Sequence, residues 1–176
     1  MSIERKGILK FAGQDVTVVG ADIKVGQIAP EFTVHDNAWA EVQGLASTQG
    51  KVRIIGTLLS LNTSVCDQET RRFNEEASAL GDGVAILVLS MDLPWTQKTW
   101  CGAAGVERVV TLSDHKYADF GEKYGALVKE QRILRRAAFV VDAHNRVVYA
   151  SYMPELGNEP NYPEVLAAAR AALAGK

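Results

Sequence analysis

Cysteine is scarce in this chain. Only Cys66 and Cys101 occur among its 176 residues, too few to staple a small secreted scaffold, so any pairing is expected to be transient and chemical. The histidines offer no ligand set: His35, His115 and His144 stand apart, and no Cys or His has a partner at metal-ligand spacing. A C-x-x-C pair is missing, which disfavours a thiol–disulfide oxidoreductase. No apolar run reaches the length of a membrane span, and MSIERKGILKFAG lacks the apolar centre of a signal peptide, so a cytoplasmic location is expected. Charge of one sign is also lacking. With 19 basic and 21 acidic residues the net charge is -2, which makes no case for a nucleic-acid partner. The one basic stretch, Arg132 to Arg136, is interrupted by Ile133 and Leu134 and reads mostly as a solvated loop or strand edge. Linkers, repeats and low-complexity tracts are absent, and the length suits one domain spanning 1–176.

What is present is an ordinary globular composition, 47% hydrophobic and 23% charged, arranged in clear periods. GILKFAGQDVTVV predicts a hairpin about Gly13 and Gln14, and Phe32 to His35 a further short strand. KVRIIGTLL and GVAILVLSMD are nearly continuous apolar runs, typical of strands covered on both faces. The polar segment between them predicts a helix, and so a parallel pair with a crossover. LPWTQKTWCGAAG suggests a helix beginning at Pro94 and ending at the glycines around Cys101. VVTLSD is another strand and YADFGEKYGAL a short helix stopped by Gly125. AAFVVDAHNRVVYASYM predicts a hairpin about Asp142 to Asn145, and NYPEVLAAARAALAGK a closing helix. The expected class is α/β: a mixed central sheet with helices on both faces and an N-terminal β-hairpin.

One stretch concentrates the chemistry. In LNTSVCDQETRRFNEEA, the residues from Asp67 onward hold no Pro or Gly, and Phe73, Ala77 and Leu80 fall on one helical face. Thr63 and Ser64 are good capping residues, and Asp67 and Glu69 put acid near the first turn. Cys66 therefore belongs at or beside a helix N-terminus, where unpaired N–H groups favour an anion. Equally, it could be a buried cysteine acting as a small hydrophobe. A thiolate attacking a peroxide O–O bond needs a stabilised anion, a donor for the leaving oxygen and a cation nearby. The resulting sulfenic acid can condense with a second thiol. A helix start, the Thr63 hydroxyl and a second cysteine 35 residues on make this chemistry a candidate.

The motifs SLNTSVCDQETRRFNEEA, MDLPWTQKTWCGAAG, RRAAFVVDAHNRVVY and YMPELGNEPNYPEVLAAA, with the opening VGQIAPEF, run nearly end to end. Through them the chain resembles the bacterial thiol peroxidases of the Tpx type, atypical two-cysteine peroxiredoxins with a thioredoxin-like fold. The resemblance implies that Cys66 is the peroxidatic cysteine and Cys101 the resolving one, joined in an intramolecular Cys66–Cys101 disulfide. It implies that Thr63 binds the peroxide oxygens and that Arg136 stabilises the thiolate and orients the substrate. Hydrogen peroxide or organic hydroperoxides would be the substrate, thioredoxin the reductant and a homodimer the assembly, with no cofactor.

Two positions depart from the pattern of that family. Leu59 stands where such proteins carry proline, seven residues before the cysteine, and Asn62 where aspartate is common. Leucine gives apolar cover over the thiolate but leaves φ unfixed. A redox sensor or binding protein with weak peroxidase turnover is the alternative this substitution raises. If the cover is imperfect, Leu59→Pro should speed peroxide attack on Cys66 in stopped-flow kinetics. A slower but folded variant would mean that the loop has been rebuilt around leucine.

Overall fold

The computed structural model describes residues 2–175, with every side chain among them except those of Ala77 and Ser78. The elements run β1 (Glu4–Phe11), β2 (Gln14–Val19), β3 (Thr33–His35), β4 (Glu41–Gln43), β5 (Val52–Thr57) and α1 (Ser64–Leu80). They continue with β6 (Val84–Ser90), α2 (Pro94–Ala104), β7 (Val109–Ser113), α3 (Asp119–Lys123), β8 (Leu127–Val128) and β9 (Ile133–Leu134). The last three are β10 (Ala137–Val141), β11 (Val147–Tyr152) and α4 (Tyr162–Ala174).

The apolar runs pair at the centre. β5, β6 and β7 are parallel neighbours in a seven-stranded sheet ordered β11-β10-β5-β6-β7-β3-β4, whose other pairs are antiparallel. Alternate residues serve opposite faces. Val52, Ile54, Ile86, Val88 and Val109 pack beneath Phe73 and Leu80 of α1 and Val165, Leu166 and Ala169 of α4. Ile55, Leu87, Leu89 and Leu112 pack on the other face with Phe32, Phe120 and Tyr124. The expected mixed sheet with helices on both faces is therefore present. Phe73 and Leu80 do share the buried face of α1, whereas the Ala77 side chain lies outside the described residues.

The N-terminal hairpin is longer than its apolar pattern suggests, since β1 begins at Glu4 with an irregular register between Lys6 and Leu9. Its turn has Ala12 at φ 48° and Gly13 at φ 81°, the left-handed pair that a two-residue hairpin loop requires. It joins β8 and β9 in a separate four-stranded sheet. The strands β4, β8 and β9, two or three residues each, are too short to leave a period in the sequence.

Helix α2 differs from expectation. Rather than ending near Cys101, it runs through Cys101 and Gly102 to Ala104. One glycine inside a helix costs only about 1 kcal/mol. Termination falls to Gly105, left-handed at φ 65°, whose N–H donates to the Cys101 carbonyl at 3.0 Å. The basic stretch also departs from a solvated edge: Arg132 is exposed, but Arg135 and Arg136 are buried. Among the described residues no helix is long and apolar enough to cross a membrane.

Phe73 pins α1 to the closing helix, its ring meeting Tyr162 edge-on at 5.3 Å while no part of it reaches solvent. Phe73→Ala should lower the unfolding free energy by about 3–5 kcal/mol in urea titration. A loss below about 1 kcal/mol would mean that α1 is held from elsewhere.

Candidate active site

The site begins where β5 ends. After Thr57 the chain passes through Leu58 to Asn62 and enters α1 at Thr63, which is extended at φ -91° and ψ 145°. The Thr63 carbonyl accepts the Asp67 N–H at 2.9 Å, so Thr63 is the N-cap residue by position. Its hydroxyl does not cap. It donates back to the Ser60 carbonyl at 3.1 Å, holding the loop rather than the helix. Cys66 is the third residue of α1 and completely buried, among Leu58, Leu61 and Phe73. Leu59 and Trp100 pack against the same cluster.

Arg136 arrives from the strand beside β5. It precedes β10, whose first residue Ala137 pairs with Thr57, so the start of β10 lies against the end of β5. The guanidinium makes three contacts inside the protein. Nη2 donates to Cys66 Sγ at 3.1 Å, Nε to the Leu156 carbonyl at 3.3 Å, and Nη1 to Glu69 Oε2. Arg136 and Glu69 are 2% and 1% exposed, so this ion pair is shielded from water and sensitive to the loss of either member. Burial works against the charged guanidinium, but the Glu69 charge and the Cys66 sulfur hold Arg136 above the usual arginine range. The Glu69 carboxyl is pushed up to about 7 by burial, against the pull of Arg136. Its second oxygen, Oε1, is buried without a hydrogen-bond partner, consistent with that shift.

Glu69 was not among the expected site residues. The available signal was its spacing, three residues after Cys66 on one helix, which brings both side chains to one face. Gly56 makes room opposite: a Cβ there would lie 3.4 Å from Glu69 Oε1 and 3.3 Å from Phe73 Cε2.

Asp92 is a second unexpected member. It accepts from Ser60 Oγ at 2.7 Å and Leu61 N–H at 2.9 Å in the Cys66 loop, and from Ser90 Oγ at 2.8 Å. Ser90 in turn accepts from the buried Gln97 amide of α2 at 3.0 Å. One carboxylate thus ties the loop before Cys66 to the segment that carries Cys101. Asp67 adds a link further along, accepting from Trp100 Nε1 at 2.9 Å and from Arg71 Nε at 2.8 Å. Both cysteines are free. Cys101 is half-buried, its sulfur 3.3 Å from Thr111 Oγ1 and 3.9 Å from Asn37 Nδ2. His35 and His115, far apart in sequence, stack obliquely at 5.8 Å beside Trp39 and Tyr117. Among the described residues no three His, Cys, Asp or Glu side chains are grouped to hold a metal ion.

A cysteine buried at a helix entry, with an arginine on its sulfur and a sheet of this order behind it, defines a thioredoxin-like protein with thiol chemistry. Comparison narrows the class. A sequence model of the Redoxin family matches residues 24–166. A thiol peroxidase of Bacillus subtilis strain 168 is 50% identical over 163 residues, spanning 93% of this chain and 96% of that protein. A thiol peroxidase of Listeria monocytogenes serovar 1/2a is 47% identical over 162 residues, spanning 92% and 97%. The crystal structure of a peroxiredoxin-like protein from Aquifex aeolicus matches with a TM-score of 0.84 at 37% identity, over 97% of this chain and 98% of that one. A thiol peroxidase from Chromobacterium violaceum, 18% identical, shares the fold with a TM-score of 0.82 over 96% and 98%. The chain belongs to the redoxin family, as a thiol peroxidase of the peroxiredoxin kind.

The raised Glu69 carboxyl has a stability signature. A carboxyl whose folded value lies near 7, against 4.5 when free, favours the fold fully below pH 4.5 and loses that contribution as pH rises through 7. Asp114, buried beneath α3 and also pushed up to about 7, has the same sign. Glu69→Gln should therefore reduce, without abolishing, the fall in urea stability between about pH 5 and pH 8. An unchanged slope would remove Glu69 from the titration.

Proposed function

We propose that the whole chain acts as one domain that reduces hydrogen peroxide and organic hydroperoxides with Cys66, Cys101, Thr63 and Arg136. The observation that carries the reading is the Arg136 guanidinium against the buried Cys66 sulfur at 3.1 Å. In this scheme the Cys66 thiolate attacks the terminal peroxide oxygen and the O–O bond breaks. Cys66 becomes a sulfenic acid, and the departing oxygen takes up a proton as water or an alcohol. Arg136 holds the anion and stabilises charge moving onto the leaving oxygen. In this reading Thr63, three residues before Cys66, donates to the peroxide once its hydroxyl leaves the Ser60 carbonyl, which it meets at 3.1 Å. Cys101 then condenses with the sulfenic acid, giving the Cys66–Cys101 disulfide and a second water. Two electrons come from the cysteines, so no cofactor is required. Thioredoxin as reductant, a homodimer and a cytoplasmic setting complete the proposal.

The sensor reading gains no support. Leu59 packs against the cluster around Cys66, and the relatives of similar length are named thiol peroxidases.

Peroxide consumption coupled to a thioredoxin system tests the scheme. Wild type should turn over continuously, whereas a single slow oxidation per chain would favour a sensor. Cys66→Ser should be inactive, because a hydroxyl cannot replace the thiolate nucleophile. Cys101→Ser should be oxidised once and then over-oxidise at Cys66. Arg136→Ala should slow the first oxidation by roughly 10²- to 10³-fold, and Arg136→Lys should recover only part of it. Equal loss of the first oxidation in both cysteine variants would refute their assigned order.

A further inference from the structure

The surroundings of Cys101 carry a role of their own. Neighbouring residues of α2 face different ways. Trp100 packs against the cluster that contains Cys66, while Cys101 lines an open groove of about 350 Å³ with Asn37, Val110 and Thr111. Within that groove the hydrogen bonds of Asn37 have a definite sense. Thr111 Oγ1 donates its one proton to Asn37 Oδ1 at 3.2 Å, since a carbonyl oxygen can only accept. The Thr111 hydroxyl also lies 3.3 Å from Cys101 Sγ, close enough for a hydrogen bond between them. Asn37 Nδ2 closes the ring by donating toward the sulfur at 3.9 Å. Asn37, Thr111 and Cys101 thus form a closed cycle of three polar contacts that holds the Cys101 sulfur.

The turn that supplies Asn37 is itself braced. Asp36 Oδ1 accepts from the Ala38 and Ala40 N–H groups at 2.8 and 2.9 Å. Trp39 occupies the left-handed region at φ 66°, a conformation that bulky residues rarely adopt. In that conformation its ring lies 4.8 Å from that of Trp95, which precedes Cys101 on α2 by less than two turns. The same turn therefore grips α2 at two places, by aromatic contact at Trp95 and by hydrogen bonding at Cys101.

We infer that Asn37 and Thr111 form a holding site for the resolving thiol, which Cys101 must leave before it can react with oxidised Cys66. The inference rests on the assignment of Cys101 as the resolving cysteine. In the step that follows release, Cys101 sulfur bonds to Cys66 sulfur and the Cys66 S–O bond breaks. The hydroxide that departs takes the Cys101 proton and leaves as water. The holding site acts only on the reduced side of this step, so it slows condensation and favours the dithiol at equilibrium. Asn37 and Thr111 are positioning residues, with no part in the attack on peroxide.

The test uses the full-length protein with the isosteric Thr111→Val and the hydroxyl-keeping Thr111→Ser. Tryptophan fluorescence in stopped flow, with Trp95 and Trp100 near Cys101, separates the peroxide-dependent first phase from the first-order second phase. Thr111→Val should leave the first phase within about twofold and speed the second roughly three- to tenfold, as expected for loss of one modest hydrogen bond network. Its equilibrium with a reference dithiol should move toward the disulfide by a similar factor. Thr111→Ser keeps the hydroxyl and should behave as wild type, and Asn37→Ala should follow Thr111→Val. Unchanged second phase and equilibrium in Thr111→Val and Asn37→Ala would overturn the holding site, as would equal acceleration in Thr111→Ser, which would point to packing. Failure of the underlying assignment looks different: wild type itself would then form no disulfide that depends on Cys101.

Discussion

The buried guanidinium of Arg136 is the contact around which the rest of the site is arranged. A positive charge with almost no access to solvent needs partners, and the fold supplies a sulfur and a carboxylate from α1 and a carbonyl from the loop before α4. Each partner places a demand on its own segment. Cys66 and Glu69 must share a face of α1, which requires the helix to start before Cys66 and to keep its period through Glu69. The helix must in turn lie close to β5, and Gly56 provides the space. The carbonyl of Leu156 brings in the loop before α4, and α4 closes the same face of the sheet. The reactive centre is in this sense an ion pair with a thiol attached to it, and much of the packing on that face serves to keep it dry.

A second group of contacts joins the two cysteine segments to one another. Asp92 joins the loop before Cys66 to the segment leading into α2, and Asp67 joins the start of α1 to Trp100. Most of these are polar contacts at the edge of the core, where hydrogen bonds exchange with water at modest cost. The two thiols are held by different partners, Cys66 by Arg136 and Cys101 by Thr111 and Asn37.

How much of this was legible in sequence depends on the kind of interaction. Long apolar runs announced β5 and β6, a hairpin pattern announced β10 and β11, the helical period announced α1, and Ala/Leu content announced α4. Thr63, Cys66, Cys101 and Arg136 could be singled out because unusual residue types stood in a pattern that resembles a known family. Glu69 and Asp92 were hidden among charges that a polar helix and a loop carry anyway. Nothing in local composition separates a buried carboxylate from a solvated one, and only the tertiary fold brings Arg136 to Glu69. Asn37 and Thr111 were hidden for the same reason, each being an ordinary turn or strand residue until α2 is laid beside it. The extent of α2 was misjudged because a glycine reads as a stop in sequence, whereas only Gly105 adopts the left-handed conformation that ends the helix.

The pairing of β10 with β5 has one more consequence. Arg135 and Arg136 are adjacent, and their side chains leave the chain on opposite sides. Arg136 turns to the Cys66 sulfur, while Arg135 lies over Tyr152, with its guanidinium carbon 3.9 Å from the ring centre, and joins Asp22 and the Gly125 carbonyl. The Thr57 hydroxyl, donating to the Arg135 carbonyl at 2.7 Å, pins the alignment between them. Two chemically identical charges thus receive unrelated duties from strand parity alone. A slip of a single residue would keep every arginine in the chain and still exchange the two faces, leaving the thiol facing the wrong neighbour. Electrostatic specificity here resides in the ladder of backbone hydrogen bonds, and a threonine keeps the count.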